Sequence, residues 1–162
     1  MHRPVSRAWV WLDTAVDWLS TSALAVMCIV SFVAVISRYV FNDSLTWSEE
    51  LTRYIFMWVV FLGTAIGVRT RAHIAVDVFL SKQGPGGERL LTWLEWASTL
   101  AFAALIGIPG WTFVMIGMSN LSPAMEVPMG LVYAAPVVGS VLIVIYLFRP
   151  AVTPSSRDNT AI

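Results

Sequence analysis

Four long apolar runs, separated by short polar segments, make up most of the chain. At a rise of about 1.5 Å per residue, a helix of about 20 residues crosses the hydrocarbon core of a bilayer, which is roughly 30 Å thick. Each run is long enough for this, and charged residues lie only near the ends of the runs. The pattern therefore predicts an all-α integral membrane protein with four transmembrane helices, at about 15–40, 47–68, 90–118 and 128–148.

The segment between the second and third predicted spans carries several charges. If it is helical, Arg69, His73 and Asp77 lie on one stripe and apolar side chains surround them, a pattern typical of a helix on the membrane surface. We therefore predict a short amphipathic surface helix at about 70–82, anchored with the help of His73 and Asp77. The glycine-rich segment Gln83–Gly87 then acts as a linker.

These elements are predicted to form one four-helix transmembrane domain, residues 1–148. The segment Arg149–Ile162 is rich in Pro, Ser, Thr and Asn and has no apolar periodicity, so we predict a disordered cytoplasmic tail. The first apolar run lacks a small-x-small cleavage pattern, and we interpret it as a retained helix rather than a signal peptide.

The composition is typical of a membrane protein, with 57% hydrophobic residues, 12% charged residues and a mean hydropathy of +0.74. A soluble domain of this size needs more polar surface. The formal net charge is +0 and no basic stripe alternates with aromatic residues, which argues against a nucleic-acid partner. Cys28 stands alone in an apolar run, so no disulfide or redox pair is predicted.

Basic residues are distributed unevenly between the two membrane faces. An excess of Lys and Arg is typical of cytoplasmic segments. We therefore predict that both termini and the middle loop are cytoplasmic and that the other two loops face outward. The basic residues on the predicted cytoplasmic face are Arg3, Arg7, Arg69, Arg71, Lys82, Arg89, Arg149 and Arg157.

The two remaining arginines, Arg38 and Arg53, lie near the ends of predicted spans, where an unpaired charge in hydrocarbon costs at least a few kcal/mol. On a helical wheel, Glu49 and Arg53 share one stripe of the second helix, and Arg38 lies on a stripe of mostly small residues in the first. Packing these stripes together brings Arg38 toward Glu49 or Glu50. We predict an ion-paired cluster of Arg38, Glu49, Glu50 and Arg53 that stabilises the helix hairpin, contacts a partner or takes part in moving ions or protons.

The second helix follows a turn that contains Asn42, and Thr46 with Glu49 has the spacing of a capping box, which predicts Thr46 as the N-cap. Asn42 and Trp47 flank the charged cluster and are further candidates for a partner contact. Gly63 and Gly67 form a GxxxG pattern, which we predict to serve helix packing.

No set of residues indicates catalysis or a bound cofactor. His73 and Asp77 alone are too few for a metal site, and no histidine lies within a span to ligate haem. The sequence also lacks a Ser/His/Asp set, a Cys/His set and a glycine-rich phosphate loop. We therefore predict that the protein is not an enzyme and has no catalytic, cofactor or metal residues.

An ordered series of motifs covering roughly residues 36–136 resembles the small membrane subunit of TRAP (tripartite ATP-independent periplasmic) transporters, the DctQ-like family. Each motif is weak alone, but the set in this order is specific. The motifs are Arg38–Asn42, Leu45–Tyr54, Trp58, Phe61–Gly63, His73–Asp77, Ser122–Ala124, Pro128–Gly130, Tyr133 and Pro136.

The resemblance implies a bacterial inner-membrane protein with two protein partners. One is a large membrane subunit, which holds the substrate and sodium sites; the other is a periplasmic protein, which captures an organic acid. The small subunit is then a scaffold, with its charged outer end near the docking periplasmic protein and its surface helix as a bilayer anchor.

Two alternative functions stay open on the residues alone. A self-sufficient, homo-oligomeric small transporter would need a carboxylate deep in a span, whereas Glu49 and Glu50 lie at a helix mouth. A membrane anchor of a redox complex would bind haem and be coloured on purification.

Overall fold

A computed structural model describes residues 7–70 and 85–149 of the protein. Each of its four helices is long and apolar enough to cross a membrane, which confirms the predicted all-helical architecture for the described residues. The predicted surface helix, with His73 and Asp77, lies outside them. The helices are α1 Arg7–Val40, α2 Thr46–Arg69, α3 Pro85–Gly117 and α4 Gly130–Leu147.

The four helices pack side by side in the order α1, α2, α4, α3. Helix α4 inserts between α2 and α3, which are neighbours in the chain but not in the row. Within residues 7–70 and 85–149, α1 packs along α2 alone and α3 packs along α4 alone. Helices α1 and α3 are therefore the two edges of the row.

The buried core lies toward the end of the row where α1 begins and α2 and α4 end. Leu62 of α2 and Ile143 of α4 are 2% and 0% exposed, and Val16 of α1 and Ala103 of α3 complete a core to which all four helices contribute. In contrast, the most apolar part of α1 has no buried residue, whereas 44% of the residues in the most apolar part of α4 are buried. Helix α1 therefore offers its apolar surface to lipid or to another protein.

Glycines allow the close approach of α4 to its neighbours. A Cβ atom at Gly117 would lie 2.7 Å from the backbone nitrogen of Gly130, and one at Gly139 would lie 2.7 Å from Cβ of Phe61. Side chains larger than hydrogen would push the helices apart at both places. These glycines fix α3 and α2 against α4.

Gly63 and Gly67, the GxxxG pair of α2, do not lie at such a contact. Among the described residues, no atom of a neighbouring element lies within 4 Å of a Cβ atom built at either position. Helix α2 packs on α4 through Phe61 and Leu62 instead. A packing role for the glycine pair stays a prediction, and it requires a neighbour other than the described helices.

Candidate functional site

Charged side chains gather at the two ends of the helix row. We call the end where α1 begins and α2 and α4 end the terminal end. We call the other end, where α1 ends, α2 begins and residues 118–129 connect α3 to α4, the loop end. Each end holds its own set of ion pairs and hydrogen bonds, described in turn below.

At the loop end, Arg38 of α1 pairs with Glu49 of α2. Arg38 Nη2 contacts Glu49 Oε1 and also lies 3.4 Å from Ser44 Oγ in the connecting turn. The two side chains are 49% and 61% exposed. At such exposure an ion pair contributes about 0.2–1 kcal/mol in water, so this pair orients the helix ends more than it stabilises the fold.

Glu50 lies apart from this pair, unlike its predicted place in a four-residue cluster. Its Oε1 accepts a hydrogen bond from the backbone N–H of Ala124 at 3.1 Å, and its Oε2 accepts one from Met125 at 3.1 Å. Consecutive helical residues point about 100° apart. Because α2 has α1 on one side and α4 on the other, Glu49 faces α1 while Glu50 faces the loop that leads into α4.

The loop held by Glu50 has a defined conformation. Leu121 and Pro128 form an isolated antiparallel bridge, and the N–H of Ser122 donates to the carbonyl of Val127 at 2.9 Å. Ser122 is 2% exposed, whereas Leu121 is 62% exposed. The loop therefore presents an ordered surface with an apolar side chain at the loop end.

The start of α2 differs from the predicted capping box. The N-cap residue is Leu45, which makes no side-chain cap, and Thr46 is already the first helical residue. The hydroxyl of Ser48 donates to the carbonyl of Leu45 at 2.6 Å. The prediction of Thr46 as N-cap is therefore wrong, and Glu49, the other residue of the predicted capping box, pairs with Arg38.

The other candidates at the loop end do not join the Arg38–Glu49 pair. Asn42 adopts a left-handed backbone conformation, with φ of 53°, at the turn between α1 and α2. Trp47 is 40% exposed. Arg53 is exposed and has no ion pair within residues 7–70 and 85–149.

A groove of about 570 Å³ runs between α1 and α2 below the Arg38–Glu49 pair. Its charged lining lies toward the loop end and its deeper lining is mostly apolar. Arg53 contributes to the charged part. The lining residues are Met27, Ser31, Ala34, Val35, Arg38, Tyr39, Ser48, Glu49, Thr52, Arg53 and Phe56.

At the terminal end, four charged residues form a network that the sequence analysis does not predict. Arg149 Nη1 lies 2.9 Å and 2.7 Å from the two carboxylate oxygens of Asp13, and Arg69 Nη2 lies 2.6 Å from Asp17 Oδ1. Arg69 also donates to the backbone carbonyl of Asp13 at 3.3 Å. The arginine side chains are 15% and 14% exposed. We call these four residues the Asp13 network.

Aromatic rings cover the two arginines of the Asp13 network. The Arg69 guanidinium carbon lies 5.8 Å from the ring centroid of Tyr146, and that of Arg149 lies 5.1 Å from the ring of Trp9. Both distances are within the range of a cation–π interaction, about 6 Å. The network thus ties α1 to the ends of both α2 and α4.

Sequence reasoning missed this network although a signal was present. Asp13 and Asp17 are four residues apart and share one helix face. Arg69 is predicted above only as part of the surface-helix stripe and of the cytoplasmic face, and Arg149 as the start of a disordered tail. Arg149 is instead held by Asp13, because the helix order brings the end of α4 close to α1.

The ion pairs at both ends of the row join helices to one another. Within the described ranges, no group of three or more His, Cys, Asp and Glu residues is placed to hold a metal ion. The four ion pairs of these ranges each join residues of different helices or helix ends. Such pairs fix the relative position of helix ends.

Comparison with known proteins places residues 8–155 in one family, described as "Tripartite ATP-independent periplasmic transporters, DctQ component". A putative TRAP transporter small permease protein of Haemophilus influenzae is 32% identical over 133 residues, which are 82% of this chain and 83% of that protein. The C4-dicarboxylate TRAP transporter small permease protein DctQ of Vibrio cholerae is 32% identical over 108 residues. That match covers 67% of this chain and 47% of the relative.

A third relative is much longer than this chain. The sialic acid TRAP transporter permease protein SiaT of Haemophilus influenzae is 30% identical over 82 residues, which are 51% of this chain and 13% of that protein. In that relative, a segment similar to this chain is therefore part of a far longer permease polypeptide.

Proposed function

Because the chain belongs to the DctQ family of TRAP transporter small permease subunits, we propose that it braces a large transport subunit and helps to dock a periplasmic substrate-binding protein. It is a multi-pass membrane protein of a bacterial transporter and not an enzyme. The transport that it supports is uptake of an organic acid, driven by a sodium gradient across the inner membrane.

The observation that carries the bracing role is the open row of helices. A self-sufficient transport domain encloses its substrate between helices, whereas here α1 and α3 are edges and α1 has no buried residue in its most apolar part. Exposed apolar surface on such a scale is typical of a helix that meets lipid or another subunit. The Asp13 network and the Arg38–Glu49 pair hold α1 in place at its two ends, so the exposed face has a defined geometry.

The exposed apolar face of α1 contacts the large membrane subunit of the same transport system. The long relative from Haemophilus influenzae supports this, because it carries a segment similar to this chain within a single permease polypeptide. Covalent joining of two segments in one relative is typical of proteins that are neighbours when they are separate chains. The proposal therefore predicts a stable complex of unequal subunits rather than a homo-oligomer.

The docking role belongs to the loop end. Arg7, Arg69 and Arg149 lie at the terminal end, against Arg38 and Arg53 at the loop end. An excess of arginine is typical of the cytoplasmic face, so we place both termini in the cytoplasm and the loop end in the periplasm. The loop held by Glu50 and the exposed Arg38–Glu49 pair then form the part of the chain that a periplasmic protein can reach.

The proposal is tested by purifying the tagged chain from its native membrane in mild detergent and identifying the proteins that copurify. We expect one large polytopic membrane protein in near-equal amount. A soluble periplasmic protein should bind this complex in a separate binding measurement. Recovery of the chain alone, as a homo-oligomer that transports solute in liposomes, would contradict the scaffold role.

A further inference from the structure

The groove between α1 and α2 has a shape that the bracing and docking roles do not explain. From Arg38 to Met27 it follows the axis of α1 over about 16 Å, roughly half of a bilayer's hydrocarbon thickness. Toward the terminal end the two helices close, because Leu12 and Val16 of α1 pack in the common core. The groove is thus a slot that opens at the loop end and stops near the middle of the membrane.

The open end of the slot has an excess of positive charge. Arg38 and Arg53 line it together with a single carboxylate, that of Glu49. Glu49 contacts Arg38, and Arg53, one helical turn deeper in α2, is exposed and has no ion pair in the described part of the chain. A guanidinium at this depth is costly without an anionic partner. The slot therefore favours an occupant with negative charge at its outer end.

The deep end of the slot favours an apolar occupant. Met27 and Ala34 of α1 and Phe56 of α2 line it, with Ser31 among them. Polarity therefore changes along the slot in the same direction as across a leaflet, from charged at the helix ends to apolar at the membrane centre. A transmembrane helix of another subunit would have to continue past Met27, where α1 and α2 are packed together.

We propose that this groove binds one phospholipid from the leaflet at the loop end. The phosphate accepts hydrogen bonds from Arg53 and neutralises it, since a guanidinium matches two phosphate oxygens well. An acyl chain lies in the deep part of the slot, against Met27, Ala34 and Phe56. The lipid then fills the space between α1 and α2 as a fixed part of the subunit.

The first test measures phospholipid retained by the purified full chain, using native mass spectrometry in mild detergent. We expect one phospholipid per chain in the wild type, a several-fold lower occupancy in R53Q and an intermediate occupancy in R53K, because lysine keeps the charge but cannot match two phosphate oxygens. R7Q is the matched control, because Arg7 is an exposed arginine at the opposite end of α1. Equal occupancy in R53Q and R7Q would overturn the proposal.

A second pair of variants tests whether an acyl chain lies in the deep part of the slot, and it changes no charge. A34L places a larger side chain in the slot, whereas V33L enlarges the neighbouring residue, which is 46% exposed and does not line the slot. We expect A34L to lower lipid occupancy several-fold and V33L to leave it unchanged. Equal occupancy in the two variants would place the bound lipid elsewhere and overturn the proposal. Circular dichroism confirms that both variants keep their helices.

The third test separates a lipid from a protein occupant in intact native membranes. A photoreactive phenylalanine analogue replaces Phe56, which lines the deep part of the slot and is already aromatic, and the mass of the crosslinked product is measured. We expect an adduct with the mass of a phospholipid, and less of it when R53Q is also present. An adduct with another protein, or a lipid adduct that does not depend on Arg53, would overturn the proposal.

Discussion

Arg149, two residues beyond the end of α4, lies with its Nη1 atom 2.9 Å and 2.7 Å from the carboxylate oxygens of Asp13 in α1. Helices α1 and α4 are not packed along each other in the described structure, because α2 lies between them in the row. The ion pair therefore links two helices across a third. Together with Arg69 from α2, it holds the beginning of the edge helix α1 against the rest of the row.

Removing the Asp13 carboxylate should destabilise the subunit. In D13N, Arg149 and Arg69 keep their charges but lose a carboxylate in a site where they are only 14% and 15% exposed. Breaking a buried pair costs about 3–5 kcal/mol, and since Asp13 is 24% exposed we expect a smaller loss of about 1–3 kcal/mol. Thermal unfolding in detergent, followed by circular dichroism, measures it.

The control for this variant is D43N, which changes an exposed aspartate in the turn after α1. We expect D43N to unfold at the wild-type temperature. A D13N protein as stable as D43N would mean that the Asp13 network does not hold the helix ends.

Exchanging the charges of Arg38 and Glu49 in a double variant should restore the stability that each single charge reversal removes. R38E places two carboxylates side by side and E49R places two guanidinium groups side by side, so each single variant should be less stable than wild type. The coupling free energy between Arg38 and Glu49 should be small, about 0.2–1 kcal/mol, because both side chains are about half exposed. A double-mutant cycle on thermal unfolding measures it.

A control cycle combines E49R with R7E, whose arginine lies at the other end of α1. We expect no coupling in that cycle. Absence of coupling between Arg38 and Glu49 as well would show that their contact contributes nothing to the hairpin.

Replacement by alanine should change the stability of the chain in opposite directions at Gly117 and Gly63. In G117A, the new Cβ atom would lie 2.7 Å from the backbone nitrogen of Gly130, so α3 and α4 must separate, and we expect a loss of about 1–3 kcal/mol. In G63A the new atom meets open space, and alanine in place of a helical glycine should stabilise by roughly 0.5–1 kcal/mol. Thermal unfolding of the isolated chain compares the two.

The variant G63A also tests whether α2 contacts the large subunit. If the GxxxG face of α2 meets the large subunit, G63A should lower copurification of that subunit while the isolated chain stays stable. Destabilisation of the isolated chain by G63A would instead contradict the open space around Gly63.

Sequence patterns predicted the helices of this protein better than the partners of its charges. Hydropathy is a local property of the chain, and it predicted all four long helices. The helical wheels brought Arg38 toward Glu49 or Glu50, and in the structure it contacts Glu49. These two residues are joined by a short turn, so the geometry of one helix hairpin was enough to bring them together.

The residues that sequence reasoning misplaced all depend on the order of helices in the row. Arg149 can meet Asp13, and Glu50 can meet Ala124, only because α4 lies next to α2. Nothing local to any of these residues specifies that order. It follows from close packing along α4, such as that of Gly139 against Phe61 of α2, which depends on the shapes of several helices at once.

The loop between α3 and α4 should lose its order when Glu50 is replaced by alanine. The carboxylate of Glu50 accepts hydrogen bonds from the N–H groups of Ala124 and Met125, each at 3.1 Å, and no other acceptor for these groups is found within the described residues. In E50A both groups are left to water, so their amide hydrogens should exchange several-fold faster. Hydrogen–deuterium exchange of the purified complex measures this directly.

E49A is the matched control, because Glu49 is the adjacent carboxylate and faces α1 rather than the loop. It should leave amide exchange in the loop unchanged. If the ordered loop is the docking surface, E50A should also weaken binding of the periplasmic protein while the large subunit still copurifies. Faster exchange in E50A with unchanged binding would remove the loop from the docking surface, and slow exchange in both variants would show that Glu50 does not order it.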